Sequence, residues 1–126
     1  MPALNFKKEF APKVEIGLKE PRHREAKRQT IRAGRKDGRN PREGQQLYLY
    51  TGMRTKVCRK LGEAECKSVQ QFTIEENLAI YVGTRCLSVG EEESMALADG
   101  FTTRGQFLDF FRKTHGLPFN GFLIKW

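Results

Sequence analysis

Residues 27–32 read Lys-Arg-Gln-Thr-Ile-Arg, which sets a cation at Lys27, a hydroxyl at Thr30 and a second cation at Arg32 inside a strand-like run. Thr-Ile favours extended backbone, and side chains alternate across a strand, so Thr30 and Arg32 share a face. Lys27 stands at an odd offset from both and therefore belongs in the loop before the strand, its long stem swinging back. The flanks agree with a short strand. Residues 19–26 are almost wholly charged and contain Pro21, whereas residues 33–44 carry Gly34, Gly38, Asn40-Pro41 and Gly44, which favour turns. A small β-rich fold with a polar cleft at this strand is the expectation.

The rest of the chain is read from periodicity. Phe6, Phe10, Val14 and Leu18 recur every fourth residue and predict an amphipathic helix over 6–18, tolerating Pro12 and stopping at Gly17. Leu47-Tyr48-Leu49-Tyr50 predicts a strand buried on both faces, in a barrel wall. Residues 51–62 read as a basic loop, and residues 64–73 and 77–82 as strands, the second with Leu78, Ile80 and Val82 on one face and Ala79 and Tyr81 on the other. After Gly90, the acidic Glu91-Glu92-Glu93 suits a first helical turn, and Asp99-Gly100 ends that helix. Thr102 or Thr103 then caps a helix whose Phe107, Phe110 and Phe111 form a core face, stopped by Gly116 and Pro118. Phe122, Ile124 and Trp126 mark a closing strand.

A chain of 126 residues with 38% hydrophobic residues suits one domain spanning 1–126. Its charge is lopsided: residues 19–60 hold 14 Lys/Arg against 4 Asp/Glu, whereas residues 64–126 hold 6 against 8. Clustered cations release counterions from a phosphate backbone and attract it over about 8 Å at physiological salt, so a polyanion partner is expected. Arg35, Lys36, Arg39 and Arg42 on one loop and Arg54, Lys56, Arg59 and Lys60 on the next would flank the mouth of the barrel, with Tyr48, Tyr50 or Tyr81 stacking a base. Cys58, Cys66 and Cys86 form no CxxC pair and His23 lies far from His115, so neither a disulfide framework nor a metal site is expected, and no cofactor is implied. The N-terminus lacks the apolar stretch of a signal peptide, and no run approaches about 18 apolar residues, so a cytoplasmic protein without membrane contact is expected.

Lys27, Thr30 and Arg32, together with Tyr48-Leu49-Tyr50-Thr51-Gly52 and Ala98-Asp99-Gly100-Phe101, resemble the motifs of the ASCH domain, a relative of the PUA domain of RNA-modifying proteins. The likeness runs from about Phe10 to Trp126. The family's signature opens on a Gly two residues before its Lys; Glu25 stands there in this chain, and Gly17-Leu18-Lys19 offers an alternative opening without the spacing to Thr30 and Arg32. The resemblance implies an α+β fold, a PUA-like small β-barrel with flanking helices, that binds RNA or a modified nucleotide. An amidohydrolase in the family removes acyl groups from modified cytidine with a Lys, a Thr and a late carboxylate, which here would be Lys27, Thr30 and Asp99. The relative's late acid is a Glu, so Asp99 reaches less far. Ribonuclease activity among ASCH relatives is a further implied alternative. The chemistry is reasonable, because a threonine hydroxyl needs a base, and a desolvated lysine near a second cation, Arg32, becomes one as its pKa falls.

Overall fold

A computed structural model describes residues 2–126. Strand β1 (Ala3–Phe6) leads into helix α1 (Ala11–Lys19), followed by the strands β2 (Gln29–Ala33), β3 (Gln46–Thr51), β4 (Arg59–Glu65), β5 (Ser68–Ile74), β6 (Ile80–Val82) and β7 (Arg85–Cys86). Helices α2 (Val89–Ala98) and α3 (Arg104–Thr114) precede the last strand, β8 (Phe119–Lys125).

These strands form two open sheets, ordered β1-β3-β4 and β2-β8-β5-β6-β7, and not the closed PUA-like small β-barrel that the resemblance implied. Among the described residues the fold is α+β with three helices. A physical reason for the open seam lies at β1 and β2, each an edge strand of its own sheet. No backbone ladder joins these two edges. The Arg32 and Arg35 guanidiniums instead reach over and donate to the carbonyls of Asn5 and Ala3, at 2.6 and 2.9 Å. Side chains thus satisfy the β1 carbonyls that strand pairing would otherwise take up. Elsewhere the sheets share a corner at the buried Cys66: its N–H donates to the Gln45 carbonyl just before β3, while that of Lys67 donates to the Lys125 carbonyl at the end of β8, both at 2.8 Å.

Two cores follow from this arrangement. Beneath the larger sheet, Phe72, Ile74, Ile80 and Leu123 pack on Phe107 and Phe111 of α3. The smaller sheet buries Leu4, Phe6, Leu47 and Leu49 against Val14, Ile124 and Trp126. Strand β8 serves both, because its alternating side chains place Leu123 in one core and Ile124 in the other. Among the described residues, no helix is long and apolar enough to cross a membrane.

Several expected elements differ. Phe6 belongs to β1, parallel to β3, and the helix begins only at Ala11, where Pro12 in the first turn lacks no bond that the helix needs. The four-residue spacing of Phe6 and Phe10 spans a turn, not one helix face. Gly17 does not stop α1, which runs on to Lys19. In β3 only the leucines are fully buried and the tyrosines are half-buried, so the strand is not buried on both faces. Arg59 and Lys60 lie in β4 and not in a loop, and the strand expected over 64–73 is split at the Cys66 corner. Leu78 occupies a turn at φ 72°, which shortens the following strand to Ile80–Val82.

Helix α2 starts on a capping box in which Ser88 accepts from the Glu91 N–H while the Glu91 carboxylate accepts from that of Ser88, and Thr103 caps α3 by accepting from the Gln106 N–H. Arg104 of α3 pairs with the buried Glu92 of α2, which joins the two helices. Between them Gly100 adopts φ 98°, and a Cβ there would lie 2.8 Å from Cδ1 of Phe10. Gly100→Ala is therefore expected to destabilise the protein by about 1–3 kcal/mol through strain and contact with Phe10. Urea denaturation measures this; an unchanged midpoint would show that the α2–α3 junction is not constrained by that contact.

Candidate functional site

Lys27 sits just ahead of β2, where its N–H donates to the Lys13 carbonyl of α1 at 2.9 Å. Gly17 permits that approach, since a Cβ on it would come 2.9 Å from the Lys27 carbonyl oxygen. The lysine stem is thereby directed inward from the loop. Its ammonium donates to Oδ1 of Asp99 at 3.1 Å and also to the Asp99 backbone carbonyl, at the C-terminal end of α2. Both residues are buried, 3% and 5% exposed, although they lie far apart in sequence.

Thr30 and Arg32 complete the polar floor from one face of β2, with Arg32 Nε donating to Thr30 Oγ1 at 2.9 Å. The walls are aromatic. The Lys27 ammonium lies 5.1 Å from the ring centre of Phe10 and 5.9 Å from that of Phe6, the Arg32 guanidinium stacks on Phe6 at 5.0 Å, and Lys7 lies over Phe110 at 4.6 Å. These groups surround a cavity of about 280 Å³ at the boundary of the two cores.

Burial decides the electrostatics. Desolvation pushes the Lys27 ammonium below the ordinary lysine range, against the pull of Asp99, while Arg32 and Lys13 add to the depression. The Asp99 carboxyl is pushed upward by desolvation, against Lys27, Gln29 and Arg32. Each partner is thus drawn toward its neutral form. The Arg32 guanidinium is lowered to about 10, chiefly by burial, and Arg35 adds to the effect.

The structure brings together Lys27, Thr30, Arg32 and Asp99, and sets Arg35 beside them on a second depression of about 220 Å³. Arg39 lines a third, with Arg42. Lys36 is exposed and lines none of these, and Arg54 and Lys56 project from the loop over 52–58. Arg59 is engaged by Glu15 of α1 through two bonds at 2.9 and 3.0 Å. Tyr50 lies outside the cavity, as do Tyr48, which lies under Lys60, and Tyr81, which pairs with Cys86 across β6 and β7. The aromatic walls come from Phe6 and Phe10, which the sequence assigned to a helix face, Phe110, which it assigned to the core, and Phe101, which entered only beside Asp99 in the resemblance. A cue was present in Phe6-Lys7 and Phe10, cation and rings alternating near the N-terminus.

Among the described residues, no group of three or more His, Cys, Asp or Glu side chains is placed to hold a metal ion. Comparison with family models, curated proteins and solved structures found no match for this chain. The chemistry of the site therefore rests on its own geometry. Because Thr30 Oγ1 accepts from Arg32, its proton remains free to be donated or removed, and Lys27 is a base only once it surrenders a proton.

Removing one partner of the buried pair leaves the other charge unpaired, so Lys27→Met and Asp99→Leu are each expected to cost about 3–5 kcal/mol. The double variant should recover much of that loss, because the two effects are coupled. Urea denaturation of all four proteins measures this, and additive losses would show that the pair is energetically unimportant. The lowered Lys27 pKa has a further consequence. Between its folded value and 10.5 the unfolded chain binds the additional proton, so this group makes stability rise with pH across that window. Lys27→Met should remove that alkaline rise from thermal melts recorded against pH; a profile identical to that of the parent would refute the assignment.

Proposed function

We propose that this protein binds RNA or a modified nucleotide, with one nucleoside seated in the cavity floored by Lys27, Thr30, Arg32 and Asp99. The observation that carries the reading is a cavity of about 280 Å³ with aromatic walls over a polar floor, to which the basic segment 19–60 contributes Lys27, Thr30 and Arg32. The half-buried Phe10, Phe101 and Phe110 offer faces and edges against which a base can pack, and the hydroxyl, amine and guanidinium groups suit its polar edge. The resemblance of Lys27, Thr30 and Arg32 to the ASCH signature supports the same ligand class.

Fluorescence anisotropy with a labelled single-stranded RNA tests this. With four phosphate contacts, raising salt from 50 to 200 mM should weaken binding about fiftyfold, at about −0.7 in log–log slope per contact. Thr30→Val should weaken that affinity by no more than about tenfold, the loss of one neutral hydrogen bond, since a binder has no need of a nucleophile. Absence of binding by the parent protein at 50 mM salt and micromolar concentration would end the proposal.

A second reading is favoured by the buried Lys27 beside Asp99, with the Thr30 hydroxyl held by Arg32. In it, an acylated cytidine-type nucleoside loses its acyl group. Thr30 Oγ adds to the acyl carbonyl carbon as its proton passes to neutral Lys27 Nζ. The carbon–nitrogen bond then breaks, and that proton leaves with the amine. Water cleaves the resulting ester, giving one proton back to Thr30 Oγ and releasing the acid. Conversion of an N4-acylated cytidine, followed by chromatography, should be lost in Thr30→Val and in Lys27→Met, whereas turnover that survives both substitutions excludes this reading.

A further inference from the structure

Arg32 is a half-buried guanidinium without an acid of its own. Its two bonds go to neutral oxygens, Thr30 Oγ1 and the Asn5 carbonyl. Among the described residues, no carboxylate lies within 4.0 Å of it, since the nearby Asp99 is engaged by Lys27. Removing a charge from water without a partner is costly, so such a group invites an anion from outside the chain.

Arg35 repeats the pattern one step along. It donates to a neutral oxygen, the Ala3 carbonyl, and it too forms no ion pair among the described residues. Capping the β1 edge uses one donor of Arg35 and one further donor of Arg32, whereas each guanidinium carries five. Both arginines line the second depression, of about 220 Å³, and Arg32 also lines the aromatic cavity, so it stands at the junction of the two. Arg35 and Asn40 continue into a third depression, of about 430 Å³, with Arg39 and Arg42. The acid there, Asp37, accepts from the Arg39 backbone N–H.

We infer that the ligand of the aromatic cavity carries a phosphate that sits between Arg32 and Arg35 at the open seam, and that a single-stranded polynucleotide continues from it over Arg39 and Arg42. The inference rests on the nucleotide reading of the cavity and adds to it the position of the phosphate and the path of the strand. Planar guanidiniums match phosphate oxygens in paired bonds, and two of them side by side gain most from a group of this charge and size. Base and phosphate then occupy adjoining hollows with Arg32 between them.

Calorimetry with the four nucleosides, their 5′- and 3′-monophosphates and a trinucleotide tests this at one fixed salt concentration. For the preferred base, at least one monophosphate should bind about tenfold to a hundredfold more tightly than its nucleoside, the gain expected for bonds to a charged group. Arg35→Gln should reduce that ratio to nearly one, whereas Lys67→Gln, an exposed change elsewhere, should preserve it. The further gain of the trinucleotide should fall in Arg39→Gln and Arg42→Gln. Equal affinity for nucleoside and both monophosphates would overturn the phosphate site while leaving the nucleoside cavity intact; binding of none of the probes would overturn both.

Discussion

The ion pair between Lys27 and Asp99 connects parts of the protein that no shared strand or helix connects. Lys27 is fastened to α1 through its backbone and introduces β2, while Asp99 closes α2 at the turn toward α3. Their side chains meet where the two hydrophobic cores adjoin, and burial raises the consequence of losing either partner. Gly17 and Gly100 allow the surrounding backbone to come close enough for that meeting. The same pair shapes the cavity. It places an amine and a carboxylate against aromatic rings, in surroundings where water does not screen them.

The open seam between β1 and β2 is the second constraint. Strand pairing there would have closed the sheets on one another and filled the site with backbone. Arginine side chains take the β1 carbonyls instead, leaving guanidinium groups along the edge. Positive charge is therefore held at the mouth of the cavity by the fold itself. Arg59, read from sequence as one more ligand-binding cation, serves the opposite purpose: Glu15 engages it and ties α1 to β4. Charge in a basic segment is thus divided between holding the structure and facing outward.

Much of the polar floor was legible in advance. The spacing of Thr30 and Arg32 puts them on one strand face, and the odd offset of Lys27 places it before the strand, where the structure has it. The cavity walls were not legible. Phe6 and Phe10 matched a helical repeat, yet they flank a strand-to-helix turn, and Phe110 was grouped with the truly buried Phe107 and Phe111. Periodicity reports which residues are apolar at a given interval; it does not distinguish a ring filling a core from one lining a hollow.

Local preferences were enough to determine from sequence alone the existence of helices α2 and α3, the strand at Thr30 and the basic character of one half, because helix-end charge, alternation and charge clustering act over a few residues. Tertiary structure alone decided that the strands form two open sheets and not a barrel, that Lys27 and Asp99, grouped in the sequence only by resemblance, form a buried ion pair, and which arginines remain free of acidic partners. Those outcomes depend on pairing between segments distant along the chain. Such contacts are selected by burial and by the satisfaction of backbone groups across the whole fold, and short-range patterns carry no record of them.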